Sequence, residues 1–283
     1  MSFFRYPGGK NKIRSVIIEK IASLITDDIV EYREPFFGGG SIGLELLQRC
    51  SKSLFNKIHS VWINDFDIGI ACLWTAVIKY PQALKEKIMG FSPSTKHFYD
   101  FKEELGSNLE AYRDYVISPD EMIDLGFKKI AIHQISYSGL GTMSGGPLGG
   151  QNQKSNYKVN CRWSPDYLCK KIDKINKIFK NFEIKNEKCS SHDFENLING
   201  RNSFLYLDPP YFLQGTVLYQ CSFSQQDHVR LSNALKSTNN KWLLSYDDCP
   251  EIRNMYSWAK IEEIDIGYSI TGIRNKKELL ISL

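Results

Sequence analysis

The apolar and polar positions along the chain fall into two kinds of segment. Short runs rich in β-branched, aromatic and leucine residues occur at 29–33, 60–63, 182–184, 204–207, 241–246, 261–266 and 278–283. Runs of that length and composition predict strands. Elsewhere apolar residues recur three or four positions apart, as in Ile13, Ile17, Ile21 and Leu24, or Leu168, Ile172, Ile175 and Phe179. That spacing lays one apolar stripe along a helix. Ile42, Leu44, Leu46 and Leu47 mark another helix. Ser164-Pro165 and the pair Ser224 and Asp227 read as helix starts, through a cap with proline at the first position and a capping box. Strand and helix alternate at both ends of the chain, which predicts an α/β fold with a mostly parallel sheet. The last two strands predict a closing hairpin.

The alternation stops between about Leu73 and Asn160. Helical spacing appears there at Leu84/Ile88, Phe98/Phe101/Leu105, Tyr112/Val116 and Ile123/Phe127/Ile130. A glycine-rich stretch follows at 138–153, either a disordered surface loop or a hairpin that orders on a partner. Lys128, Lys129, Lys154, Lys158 and Arg162 surround it, charges of the kind that contact phosphate. The chain therefore divides into 1–74, an insert at 75–160, and 161–283.

Composition changes this picture little. Of 283 residues, 42% are hydrophobic, enough for a sizeable core. The net charge of +4 is compatible with a polyanionic partner but does not require one. Seven cysteines, an odd number with no C-x-x-C pair, argue against a disulfide framework or zinc cluster and for a reducing compartment. The five histidines show no metal-binding spacing, so no metal is expected. No run reaches the roughly 20 apolar residues that span a bilayer, so no membrane partner is expected.

Four stretches carry candidate chemistry. Asp208-Pro209-Pro210-Tyr211 follows the apolar run 204–207. Two prolines stop the strand and fix the backbone. The result is a carboxylate, a constrained carbonyl and an exposed aromatic at the carboxyl end of a strand, where open α/β sheets bind ligands. Two adjacent acceptors and a stacking ring suit an exocyclic amino group on a nucleobase; the plainer reading is an ordinary turn. The second stretch is Glu34-Pro35-Phe36-Phe37-Gly38-Gly39-Gly40-Ser41, a strand-turn-helix junction at which glycines admit a ligand close to the backbone and Ser41 could cap the helix. It lacks the G-x-G-x-x-G spacing of nicotinamide and flavin sites. The third is Asn64-Asp65, an acid at the end of the second strand, either a ribose ligand or a solvated loop carboxylate. The fourth is Tyr6-Pro7-Gly8-Gly9-Lys10, a basic turn that could carry Tyr6 and Lys10 to a ligand. No strand precedes it and its spacing is not that of a phosphate loop, so an NTPase is excluded. Asp193-Phe194 lies just ahead of the tetrad, at the expected end of a strand beside it. Phe194 is either a core side chain or one that flanks an adenine ring. The segment 212–223, with Tyr219 and Phe223, is a candidate lid.

These four stretches, in this order, resemble the Dam-like alpha group of DNA adenine-N6 methyltransferases over nearly the whole chain. The resemblance implies a Rossmann-like methyltransferase fold with a seven-stranded sheet and an inserted, mainly helical target recognition domain at 75–160. It implies S-adenosylmethionine as cofactor, with Tyr6, Lys10 and the turn Phe36, Phe37, Gly38, Gly39, Gly40 and Ser41 at its methionine end, Asp65 at the ribose, and Asp193 and Phe194 at the adenine. Asp208, Pro209, Pro210 and Tyr211 would act on the target base, with Asp208 also bordering the cofactor. Tyr137, Ser138, Lys128, Lys154 and Arg162 would meet double-stranded DNA. Family members carry Tyr-Asn-Gly-Leu where this chain has Tyr137-Ser138-Gly139-Leu140, so a recognition site does not carry over. The resemblance further implies S-adenosylhomocysteine as the bound product, a bacterial or phage protein of the cytoplasm, and room for a cognate restriction endonuclease. An RNA, protein-amide or cytosine-N4 methyltransferase and a non-catalytic DNA-binding relative are the alternatives.

Overall fold

The computed structural model describes residues 3–50, 57–106, 116–185, 193–213, 220–265 and 277–283. The strands are β1 (Glu31–Glu34), β2 (Ser60–Ile63), β3 (Glu183–Ile184), β4 (Ser203–Leu207), β5 (Lys241–Asp247), β6 (Lys260–Asp265) and β7 (Lys277–Ser282). They form one sheet in the order β3-β2-β1-β4-β5-β7-β6. The first five are parallel, and β7 runs antiparallel between β5 and β6. This is the Rossmann-like arrangement the sequence implies, and β6 and β7 pair as the expected hairpin.

Strand order explains where the site lies. The chain winds outward from β1 through β2 to β3, then returns to lay β4 against the other side of β1. The direction of winding reverses between β1 and β4, and a crevice opens beyond their carboxyl ends. The glycine turn leaves β1 and the Asp-Pro-Pro-Tyr tetrad leaves β4. Two stretches 174 residues apart (34 to 208) therefore meet because of topology alone.

Central β4 is buried along its whole length. Phe204 and Tyr206 enter one apolar cluster, and Leu205 and Leu207 another across the sheet. A strand covered on both faces needs the continuous apolar run seen in the sequence, not an alternation.

Helix α1 (Arg14–Leu24) buries Ile17, Ile18 and Ile21, and α2 (Gly43–Cys50) buries Leu44, Leu46 and Leu47. Helix α3 (Ile68–Lys79) is buried almost all round. It runs without a break across residues 74 and 75, so that proposed division falls inside a helix. Helices α4 (Pro81–Met89), α5 (Thr95–Gly106) and α6 (Pro119–Ile135) build the insert. Their apolar residues join the same cluster as those of the sheet. Tyr112 lies outside the described residues, and its expected helical partner Val116 is exposed and precedes α6. Helix α7 (Pro165–Phe179) buries the expected stripe, α8 (Glu195–Ile198) is one turn, and α9 (Gln225–Ser237) and α10 (Pro250–Met255) follow among the described residues. The Ser224–Asp227 capping box is present at α9. No described helix is long and apolar enough to cross a membrane.

Helices α3 and α6 cross closely at Gly126, where a Cβ would lie 2.7 Å from Leu73 Cα and 2.8 Å from its nitrogen. Backbone cannot swing aside as a side chain can. Gly126→Ala is expected to force the helices apart at a cost of about 1–3 kcal/mol. A thermal melt that leaves Tm within a degree of wild type would show that the crossing yields freely.

Candidate active site

The glycine turn is held from three sides. Phe37 N–H donates to Asn64 O (2.9 Å), Gly38 N–H to Asp65 Oδ2 (2.7 Å), and Trp74 Nε1 to Gly38 O (2.8 Å). Gly38 and Gly40 have φ of 46° and 66°, the left-handed region that favours glycine. A Cβ on Gly38 would come within 2.7 Å of Tyr6 Cε1, and one on Gly39 within 2.9 Å of Tyr6 Cβ. The glycines therefore admit the Tyr6 ring, and ring and turn together line one wall of a cleft. Ser41 lines the cleft two residues ahead of α2 and so does not stand at the expected cap position. Gly38→Ala adds both the clash and about 1 kcal/mol of backbone strain. We expect affinity for S-adenosylmethionine, the cofactor that the resemblance implies, to fall at least about tenfold, since each 1.4 kcal/mol is a factor of ten; an unchanged Kd by calorimetry would refute it.

Asp65 is half-buried at the floor of the cleft, and each of its oxygens already accepts a backbone N–H, from Gly38 and from Asp67 (2.9 Å). Its carboxyl is pushed up to about 7 by burial and by the neighbouring Asp67 charge. The residue read from sequence as a ribose ligand thus also shapes the turn. Asp67 caps α3 by accepting from Ile70 N–H (3.2 Å) and pairs with the buried Lys129 at 2.5 Å. Lys129, grouped in the sequence with surface charges, is therefore an internal counter-ion that ties α6 of the insert to the cleft.

The far wall is aromatic. Phe36, Phe194 and Phe223 meet with ring centroids 5.5–5.9 Å apart. The Arg230 guanidinium lies 5.1 Å from the Phe194 centroid and 2.7 Å from Asp193 Oδ2. Asp193 and Phe194 reach the cleft, but not by the expected route. Phe194 opens α8, and the preceding described strand, β3, lies at the sheet edge against β2, not beside β4. Sequence reasoning placed Phe223 in a lid and missed Arg230 altogether; no local pattern marks either. Part of that candidate lid, including Tyr219, lies outside the described residues.

Asp208 closes the cleft at the end of β4, its side chain 20% exposed. Its Oδ1 lies 2.6 Å from Lys10 Nζ, and among the described residues no donor is bonded to Oδ2. Burial raises the Asp208 carboxyl and the Lys10 charge opposes that rise. Lys10 is buried and does not line the cleft. It is engaged by Asp208 and, at 3.4 Å, by Glu278 Oε1. Pro210 lines the cleft and Pro209 is buried. Tyr211 is half-buried, not exposed as expected: its hydroxyl donates to Glu278 Oε1 (2.8 Å) and its ring lies under the Lys10 ammonium. Glu34, at the end of β1, is buried beside them with its carboxyl raised well above the usual range by burial, and Tyr32 OH donates to it (2.7 Å). The cleft encloses about 1060 Å³ of empty space, part of it open to solvent.

On the insert Tyr137, Ser138 and Lys154 are exposed, and so is Arg162 just beyond it. Ser138 has φ of 56°, a conformation asparagine adopts more readily, so the departure from the family's Tyr-Asn-Gly-Leu falls at a strained position. Lys128 departs from its expected role: it bridges Asp124 (2.7 Å) and Glu104, which compensate its charge. The glycine-rich stretch is folded into two tight turns, Tyr137–Gly139 and Gly141–Met143, with a bridge from Ser136 to Pro147. Four of its glycines, Gly139, Gly141, Gly149 and Gly150, take left-handed positions, and Gly141 passes directly over the buried His133 ring.

Sheet, glycine turn and Asp-Pro-Pro-Tyr opening onto one cleft define a Rossmann-like methyltransferase. The chain belongs to the D12 class N6 adenine-specific DNA methyltransferase family, whose model matches residues 6–270. It is 24% identical over 256 residues to the Type II methyltransferase M.CviBI of Paramecium bursaria Chlorella virus NC1A, covering 89% of this chain and 85% of that one. It is also 24% identical over 277 residues to the Type II methyltransferase M1.LlaDCHI of Lactococcus lactis subsp. cremoris, covering 93% and 87%. The activity is therefore methylation of adenine in DNA from a methyl donor.

Proposed function

We propose that the protein transfers a methyl group from S-adenosylmethionine to the N6 amino group of an adenine flipped out of double-stranded DNA. The observation that carries this reading is the shared cleft: the glycine turn after β1 and Asp208 after β4 border the same space. The residues present fit that cofactor. Its ring would meet the Phe36, Phe194 and Phe223 faces with Asp193 beside it, and its ribose hydroxyls the carboxyl of Asp65. Carboxyl side chains in the lining are Glu34, Asp65, Asp67, Asp193, Asp208 and Asp227, against one basic side chain, Arg230. Glu34 has its carboxyl raised by burial, and Asp67, Asp193 and Asp208 are paired with Lys129, Arg230 and Lys10, so the lining offers hydrogen-bond acceptors more than net negative charge. Bound there, the cofactor supplies an electrophilic methyl group.

The rest of the chemistry belongs to this chain's residues. An aromatic amino nitrogen is a poor nucleophile because its lone pair is delocalised into the ring. Hydrogen bonds from that amino group to Asp208 Oδ2 and the Pro209 carbonyl favour a nitrogen with a localised lone pair. Both acceptors are held by the proline-stiffened turn, so little reorganisation is needed. The base cannot be reached within the duplex and has to leave the stack. Exposed Tyr137, Ser138 and Lys154 of the insert, with Arg162 just beyond it, form the DNA-facing surface. We place the reaction in the cytoplasm of a bacterial host.

The test is to express the protein in a host lacking adenine methylation and sequence the modified bases. N6-methyladenine at one recurring sequence is expected. N4-methylcytosine, or methylation of RNA in place of duplex DNA, would overturn the reading.

A further inference from the structure

Glu278 belongs to none of the four stretches that carry the resemblance. It is the second residue of β7, and its side chain is buried. Yet it touches two residues of those stretches at once. It accepts from Tyr211 OH at 2.8 Å, and it lies 3.4 Å from Lys10 Nζ, which is 2.6 Å from Asp208. Lys10 Nζ is also 4.7 Å from the Tyr211 ring centroid. Asp208, Lys10, Glu278 and Tyr211 therefore close into one buried circuit.

The charges in that circuit decide what Asp208 can do. One lysine against one carboxylate would be a neutral pair, and a neutralised carboxylate accepts a further hydrogen bond weakly. One lysine shared between two carboxylates leaves a net negative charge. We propose that Glu278 is a positioning residue for methyl transfer, sharing Lys10 so that Asp208 and Lys10 do not form a closed neutral pair and the ionised Asp208 keeps its strength as an acceptor, and holding Tyr211 by its hydroxyl beside the target base. The inference rests on the reading of Asp208 as the acceptor.

Neighbouring elements fit this assignment. Across the ladder from Glu278, β5 presents Asp247, whose oxygens accept from Phe212 N–H (3.0 Å) and Leu213 N–H (2.9 Å). On the other side β6 presents the apolar Ile264. From β4 comes Tyr206, whose hydroxyl bonds to Ser245 (2.8 Å), and from β1 comes Glu34 with its carboxyl raised. Among the described residues, Lys10 is thus the cation in contact with the two carboxylates. Burial and the Asp208 charge raise the Glu278 carboxyl, and the repulsion acts in both directions.

The test compares Glu278→Gln, Glu278→Asp and Asp208→Asn with wild type for the pH profile of kcat and for cofactor affinity by calorimetry. Glu278→Gln keeps the shape and an acceptor for Tyr211 but removes the charge. Its plateau kcat is expected to fall about 10–100-fold, the scale of removing an outer partner that orients a site residue. Its acid limb is expected to move to lower pH, because Asp208 loses a like-charged neighbour, and cofactor Kd is expected to hold. Glu278→Asp restores the charge and should return the limb toward wild type. A fall in kcat with no shift of the limb would reduce Glu278 to a packing role and overturn the proposal, as would wild-type kinetics. If Glu278→Gln fails to fold, Glu278→Asp decides: a limb displaced as far as loss of charge would move it overturns the proposal. An active Asp208→Asn would overturn the underlying reading of Asp208 instead, whatever Glu278 does.

Discussion

Asp208→Asn is expected to lower kcat by at least about 10²–10³-fold, the scale of removing one preorganised group from a reacting centre. The change is isosteric, so it removes the charge and little else. The amide can turn its oxygen or its NH2 toward the target, and the second orientation sets donor against donor. Lys10 keeps Glu278 as a partner at 3.4 Å, so the variant is expected to fold. Methyl-donor affinity is expected to persist, because the glycine turn, Asp65 and the aromatic wall are untouched. The decisive measurement pairs a methylation assay on duplex DNA with calorimetry for the donor. Substantial turnover by Asp208→Asn would remove the carboxylate from the mechanism.

Lys10→Ala is expected to have the largest effect on stability. The wild-type ammonium is buried and its pKa is raised, with burial opposing and Asp208 and Glu278 favouring the charge. Its stabilising contribution is therefore complete below the unfolded lysine value and is lost only as pH rises through the raised folded value. Removing it leaves two buried carboxylates facing each other, and breaking such a pair costs about 3–5 kcal/mol. Both carboxyls are already raised by burial. Without Lys10 they rise further. A group with a raised folded pKa stabilises fully below its unfolded value, about 4 for a carboxyl, and that contribution is lost as pH rises through the folded value. The deficit of Lys10→Ala is thus expected to be large at pH 8 and to narrow toward pH 5. Urea melts across that range test it; a deficit independent of pH would mean that the carboxylates do not sense the lysine. Because Lys10 does not line the cleft, donor affinity is expected to change less than stability does. A collapse of affinity with unchanged stability would put the ammonium on the ligand instead.

Much of the site was legible because it is made of local chemistry. A strand stopped by two prolines, a glycine turn between strand and helix, and an acid after the next strand each report on a few consecutive residues. The aromatic wall was only half legible. Phe194 stood beside a recognisable stretch, whereas Phe223 and Arg230 arrive from beyond the tetrad with no pattern of their own. The insert surface misled in a specific way. Lysine reads as a solvated charge, yet Lys129 is buried against Asp67 and Lys128 is neutralised by Glu104 and Asp124. Tyr211 misled likewise, since an aromatic after two prolines gives no sign of the carboxylate that holds its hydroxyl.

By itself the sequence determined the strands, most of the helices, the Ser224–Asp227 capping box and the glycine turn after β1, because hydrophobic period and backbone sterics act between near neighbours. Only the tertiary structure decided that β4 lies beside β1 and that β7 inserts between β5 and β6. That order is what brings Lys10 to Asp208, 198 residues away, and Tyr211 to Glu278, 67 residues away. Charges so far apart in sequence leave no periodic trace. Their pairing is fixed by how the sheet closes, and with it the charge that the reacting carboxylate carries.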